Sequence, residues 1–125
     1  MGPARLTGLV DSVVLIEHLN GLEAATSWLA ARPGELAVSA VTRAEVLTGC
    51  EEAEMPRVGA LLDRFALLPL DAAAADLAAR LRRRHRWRLP DAFQAALAQL
   101  HGLRLVTRNT RDFPPSRHPF VLVPY

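Results

Sequence analysis

The chain has 125 residues, of which half are apolar and 22% are charged, and its formal net charge is +2. This size and balance fit one packed domain, and they exclude a second ordinary core, a disordered chain and a fibrous protein. A single cysteine, no apolar run of membrane-spanning length and no apolar leader segment predict a protein that works in the cytoplasm without disulfides.

Short apolar strands alternate with helices along the whole chain. Five apolar runs predict strands at residues 6–10, 36–38, 67–70, 103–106 and 120–123. Apolar residues three and four positions apart predict helices at residues 13–21, 22–32, 42–50, 56–65, 72–85 and 90–102. Asp71 is placed to cap the helix that follows it. Short strands joined by helices indicate an α/β fold with a mainly parallel sheet covered on both faces.

Four acidic residues lie where such a sheet places its functional crevice, beyond the carboxyl ends of the strands and at helix starts. Asp11 follows the first predicted strand, and Asp112 lies in the loop after the fourth. Glu45 and Asp91 each stand in the first turn of a predicted helix. Carboxylates gathered in one pocket repel each other unless a cation lies between them, and their hard oxygens favour Mg²⁺ or Mn²⁺. Such a centre is typical of metal-dependent phosphodiester cleavage.

Each of these acids also has a structural interpretation. Asp11 is suited to cap the helix after it, and Asp91 to interact with a helix dipole. Glu45 stands three residues after Thr42, which is the spacing of a capping box, so spacing alone favours that role. Asp112 could hydrogen-bond the backbone of its own loop. Only the fold decides whether the four residues meet.

The chain resembles PIN domains in four successive blocks, LVDSVVLIEHLNG, VSAVTRAEVLTG, LPDAFQAALA and LVTRNTRDF. The resemblance implies a single PIN-like domain over residues 1–125, with a central sheet of four to five strands. It implies a catalytic Mg²⁺ or Mn²⁺ site whose ligands are Asp11, Glu45, Asp91 and Asp112. It also implies supporting polar roles for Ser12, Thr107 and Asn109.

Members of this size resemble VapC toxins, which cleave RNA and are held inactive by a small antitoxin. The resemblance therefore implies an RNA substrate, a VapB-like antitoxin and a homodimer. Val13 departs from the family pattern, which often has asparagine there, so we expect one hydrogen bond beside the metal site to be missing.

Other classes of protein are excluded or stay open. Receiver domains and haloacid-dehalogenase-type phosphatases use a lysine, and all fifteen basic residues here are arginine. No GxxxxGK phosphate loop occurs. An inactive PIN-like module that binds RNA or a partner stays open. So does a metal-independent ribonuclease that would use histidines as acid and base, drawn from His18, His85, His101 and His118.

The most basic stretch is RLRRRHRWR, at residues 80–88. Arginine offers a planar fork of donors that suits phosphate, and an interleaved tryptophan can stack on a base. A solvated helix face or a surface for an acidic partner would have the same composition. Under the RNA-binding hypothesis the contacting residues are Arg82, Arg83, Arg86, Trp87 and Arg88.

Overall fold

A computed structural model describes residues 5–125. Its strands are β1 (Gly8–Val10), β2 (Leu36–Ser39), β3 (Ala66–Leu68), β4 (Arg104–Val106) and β5 (Val121–Leu122). Its helices are α1 (Ser12–Leu19), α2 (Glu23–Ala30), α3 (Ala40–Thr48), α4 (Met55–Leu62), α5 (Ala72–His85) and α6 (Leu89–Leu100), and a 3₁₀ turn at Glu52–Glu54 precedes α4. In this part of the chain no helix has the length and apolar character needed to cross a membrane.

The five strands form one parallel sheet in the order β3-β2-β1-β4-β5. The predicted α/β fold with a parallel sheet is therefore confirmed. From β1 the chain builds outward through β2 to β3, and it then returns to the other side of β1 to add β4 and β5. The strand order thus reverses between β1 and β4, the point at which open parallel sheets bind their ligands.

Helices cover both faces of the sheet. Successive strand residues point in opposite directions, so each face presents apolar side chains for the helices to bury. Leu9 and Leu105 are buried with α5 and α6, in a cluster that includes Ala95. Val10 and Val106 are buried in a second cluster with residues of α1, α3 and α4. β1, in the middle of the sheet, is buried throughout because both of its faces are covered.

One predicted helix start is wrong in a way that matters for the site. α3 begins at Ala40 rather than at residue 42, because the side chain of Ser39 caps it. The Ser39 hydroxyl accepts a hydrogen bond from the Thr42 N–H at 3.0 Å. The cap predicted for α5 is confirmed, since Asp71 Oδ1 accepts from the Ala74 N–H at 2.9 Å.

Candidate active site

A cleft of about 600 Å³ lies at the carboxyl ends of β1 and β4. The strand order brings to this edge the start of α1, the loop after β4 and the first turn of α6. Of the residues predicted for the metal site and its support, those that line the cleft are Asp11, Ser12, Glu45, Asp91, Asn109 and Asp112. The fold therefore collects all four acids, although they are spread over about a hundred residues of sequence.

Asp11 is the most rigidly held of the four acids. It is 9% exposed. Its Oδ1 accepts from the Ser12 N–H at 2.8 Å and from Gln94 Nε2 at 3.2 Å, and its Oδ2 accepts from the buried Thr107 hydroxyl at 2.7 Å. The residue caps α1 as the structural interpretation proposed, and it also lines the cleft. Three donors on one buried carboxylate fix its orientation.

Gln94 holds this part of the site together, and sequence reasoning missed it. The side chain is 1% exposed, and its Nε2 donates to Asp11 and, at 2.7 Å, to the Thr42 hydroxyl. Its Oε1 accepts from the Ser39 hydroxyl at 2.6 Å. The signal in the sequence is a lone polar residue on the otherwise apolar, alanine-rich face of α6, one turn after Asp91. Gln94 therefore ties α6 to the caps of both α1 and α3.

Glu45 is not a capping residue. Ser39 caps α3, so Glu45 lies in the second turn of the helix, too far along to complete a capping box. Burial raises the pKa of its carboxyl, a hydrogen bond from Ser12 opposes that rise, and the nearby charge of Asp11 adds to it. The observed helix begins two residues earlier than the sequence predicted. The capping role that the sequence suggested for Glu45 is therefore ruled out.

Asp112 is positioned by Asn109 and Trp87. Asn109 Nδ2 donates to Asp112 Oδ2 at 3.0 Å, and the Asp112 N–H donates to Asn109 Oδ1 at 3.2 Å. The backbone N–H of Asn109 donates to the Thr107 hydroxyl at 3.0 Å. The indole N–H of Trp87 donates to the Asp112 carbonyl at 2.9 Å. Thr107 and Asn109 thus link the loop after β4 to Asp11, in supporting positions.

Asp91 carries the clearest electrostatic signature of the cluster. Its pKa is raised from 3.8 to about 6, first by burial and then by the charges of Asp11, Asp112 and Glu45, against a smaller lowering by Arg88. A first-turn carboxylate would ordinarily be favoured by the helix dipole. Here burial and the three neighbouring carboxylates outweigh that effect.

This raised pKa makes the stability of the metal-free protein depend on pH. Between pH 3.8 and about 6 the folded state holds the Asp91 proton more tightly than the unfolded chain does. The stability that this group contributes is fully present below pH 3.8 and is lost as the pH rises through about 6. Asp91→Asn stays neutral at every pH. We therefore expect its melting temperature to increase relative to that of the wild type as the pH rises from 3.8 to above about 6. Thermal unfolding in EDTA measures the difference, and a gap that does not vary with pH would contradict the assignment.

The donors of the cleft fit Mg²⁺ or Mn²⁺ in kind, because four carboxylates supply hard oxygen ligands. Within residues 5–125, no three acidic, histidine or cysteine side chains are already close enough together to enclose an ion.

The sequence model of the PIN-domain family matches residues 8–114, a range that contains all four acids. The chain belongs to the PIN-domain family. It is 42% identical over 113 residues to Ribonuclease VapC10 of Mycobacterium tuberculosis, an alignment that covers 85% of each protein. It is 36% identical over 90 residues to tRNA(fMet)-specific endonuclease VapC of Shigella flexneri, which covers 64% of this chain and 68% of that protein.

The structure is similar to a chain of a solved toxin–antitoxin complex from Klebsiella pneumoniae. The TM-score is 0.87 at 35% identity, over 95% of this chain and 98% of that one. The predicted membership is therefore confirmed, and the chain is a VapC-type PIN domain.

The rim of this PIN domain's cleft is basic, but its arginines are only partly those expected from residues 80–88. Arg86 and Arg88 line the cleft. Arg82 instead donates to the Trp87 carbonyl at 2.7 Å and so holds the end of α5, and Arg83 does not line the cleft. Sequence reasoning missed two further arginines of the rim, which lie in the loop after β4. They are Arg108 and Arg111.

Little of the Trp87 indole is open for the base stacking that the sequence suggested, although the residue lines the cleft. Its side chain belongs to the core on the α5 and α6 side of the sheet and is 6% exposed. His85 stacks on the indole with ring centroids 4.2 Å apart, and Phe113 lies at 4.8 Å. The backbone turn at Arg86, which follows α5, carries Trp87 inward. Its burial and its bond to Asp112 give Trp87 a structural role.

The four histidines of the PIN domain fall into two groups. His85 and His118 meet edge to face at 5.2 Å, a pairing that the sequence did not reveal. His18 accepts from or donates to the Thr26 hydroxyl on the opposite side of the sheet, and His101 follows α6. None of the four lines the acidic cleft.

Proposed function

We propose that this PIN domain is an endoribonuclease that depends on Mg²⁺ or Mn²⁺ and acts as the toxin of a VapBC-type toxin–antitoxin pair. The observation that carries the proposal is the meeting of Asp11, Glu45, Asp91 and Asp112 in one cleft. The pKa of Asp91, raised to about 6, supports it, because such clustered carboxylates are stabilised by a shared cation.

The four acids would hold the ion, with Asp11 as the fixed member of the set. A bound divalent ion supplies an activated water and stabilises charge on the oxygens of a phosphodiester. The chain itself presents Asp11 in one orientation through Thr107 and Gln94. Around this centre, the guanidinium groups of Arg86 and Arg88 stand on the rim, where they are suited to contact RNA phosphates.

Metal removal provides the first test of the activity. Purified protein is expected to cleave single-stranded or structured RNA with Mg²⁺ or Mn²⁺ and to lose that activity in EDTA. Full activity in EDTA would overturn the metal mechanism and favour the histidine alternative, for which the contact of His85 with His118 is the supporting observation. Binding of RNA without cleavage under every metal condition would instead support an inactive module.

A small VapB-like antitoxin is the partner that we propose for this chain. The likeness to a chain of the Klebsiella pneumoniae toxin–antitoxin complex, at 35% identity over nearly the whole length, supports it. We expect a short reading frame for a DNA-binding antitoxin beside the gene, and we expect its product to bind this protein and inhibit cleavage. The homodimer and the cytoplasmic location stay predictions.

A further inference from the structure

A second cleft lies beside the acidic cleft and shares part of its lining. We call it the histidine cleft, because His85 and His118 line it together with Arg117. Its volume is about 360 Å³, at the lower end of the size of ligand pockets. Arg86 and Arg111 line both clefts. A ligand chain bound at the acids can therefore continue into the histidine cleft without leaving the surface.

The lining of this second cleft carries a net positive charge, whereas four carboxylates and four arginines balance each other in the lining of its neighbour. Arg86, Arg111 and Arg117 contribute three guanidinium groups to the histidine cleft. In the part of the chain that the structure describes, none of these three forms an ion pair. Asp112 is the one carboxylate among the described residues of its lining. Unpaired guanidinium groups around a concavity are suited to a phosphate, which they can bind bidentately.

An aromatic surface stands beside these cations. The imidazole of His85 lies nearly parallel to the buried indole of Trp87, at 4.2 Å and an interplanar angle of 20°. His118 meets both rings edge to face at 5.2 Å. His85 is an exposed residue, so the indole supports one face of a ring that reaches the surface. Flat rings next to phosphate contacts are the features that recognise single-stranded RNA.

The backbone at Arg86 is strained, and this strain places its side chain. Arg86 has φ of 58°, in the left-handed region, and its N–H donates to the Arg82 carbonyl at 2.7 Å. Glycine commonly occupies this position after a helix, because other residues adopt the conformation at a cost. An arginine kept there lines both clefts, which is consistent with strain retained at a functional position.

We infer that the histidine cleft is a nucleotide subsite for the RNA strand next to the cleaved bond. Arg86, Arg111 and Arg117 contact its phosphates, and a base stacks on His85. The inference rests on the proposed function, because it names where the RNA substrate continues beyond the acids. It also transfers to His85 the stacking role that the sequence had suggested for Trp87.

Binding of a labelled hexaadenylate to the Asp91→Asn protein in EDTA, followed by fluorescence anisotropy, tests the subsite without cleavage. We expect Arg117→Ala to weaken binding about tenfold and to flatten its salt dependence by about 0.7. We expect His85→Ala to weaken binding at least fivefold, roughly the least that loss of base stacking costs. Arg80→Ala, which removes an exposed arginine of α5 outside both clefts, is the matched control and should bind as its parent does.

Two further readouts separate binding from folding. Arg86→Gly relieves the left-handed backbone, so it should melt no lower than its parent while it binds hexaadenylate more weakly. The imidazole C–H resonances of His85 should move upfield when hexaadenylate is added, because a base stacks over the ring. Hexaadenylate affinities unchanged in the Arg117 and His85 variants would overturn the subsite and leave the ribonuclease proposal intact.

The remaining outcomes also decide the question. If the parent binds no RNA, and the wild type cleaves none with Mg²⁺ or Mn²⁺, the proposed function itself has failed and the subsite with it. If the variants keep their RNA affinity and lose only antitoxin binding, the histidine cleft is a protein interface and the inference is wrong.

Discussion

Replacing Asp91 with asparagine is expected to lower RNA cleavage at least about 1000-fold, since loss of a metal ligand removes several kcal/mol of charge stabilisation. The metal-free variant should be as stable as the wild type at neutral pH, or more stable. The helix dipole favours a first-turn acid by only about 0.3–1 kcal/mol. Burial and three neighbouring carboxylates act against it, and the pKa of about 6 shows that they prevail.

The matched control for this variant is Asp76→Asn, which removes the same charge from an exposed position on α5. It should cleave RNA at the wild-type rate. Added Mg²⁺ should raise the melting temperature of the wild type and of the control, because a ligand that binds only the folded state stabilises it, but it should raise that of Asp91→Asn much less. An Asp91→Asn protein that is inactive and also strongly destabilised would point to a structural, helix-starting role.

The second large effect is expected at Gln94, where Gln94→Glu changes one group and keeps the shape. The new carboxylate would lose the two hydrogen bonds that Nε2 donates to Asp11 and Thr42. At neutral pH it would also place a second negative charge beside the buried Asp11. An uncompensated buried charge costs about 3–5 kcal/mol, so we expect a loss of at least roughly 3 kcal/mol in the free energy of unfolding.

Protonation of the new carboxyl should reduce this loss, so the variant should regain stability relative to the wild type as the pH falls. Gln99→Glu, the same substitution at an exposed position of α6, serves as the control and should change stability by less than about 0.5 kcal/mol. Urea unfolding at neutral and at mildly acidic pH measures both variants. A Gln94→Glu protein as stable as its control would show that the hydrogen bonds around Asp11 do not hold the site together.

Local rules single out candidate acids in the sequence, although spacing alone does not bring them together. Asp11 directly follows an apolar strand and Asp112 lies just beyond another, and parallel strands bring such residues to one edge. Glu45 is harder to interpret, since its spacing from Thr42 also fits a capping box. That ambiguity ends only when Ser39 is seen to cap α3. An error of two residues in a helix start is enough to change the role assigned to an acid.

Gln94 and Trp87 show what local rules cannot supply. The hydrogen-bond partners of Gln94 lie 52, 55 and 83 residues away in the sequence, so no pattern near it reveals them. Trp87 lies in an arginine-rich run whose composition is the same whether its indole points outward or inward. The left-handed turn at Arg86 determines that the indole points inward. A glycine at this position would have predicted such a turn, but an arginine does not. The contact of His85 with His118 likewise joins the end of α5 to the loop before β5, 33 residues further along the chain.

The central claim is that Asp11, Glu45, Asp91 and Asp112 together hold the divalent ion on which RNA cleavage depends. Anomalous diffraction from crystals of the wild-type protein grown with Mn²⁺ tests it most directly. We expect an anomalous peak in the acidic cleft, within ligand distance of Asp11 and at least one other of these carboxylates. Protein that cleaves RNA with Mn²⁺ but shows no Mn²⁺ among the four acids in its crystals would contradict the account.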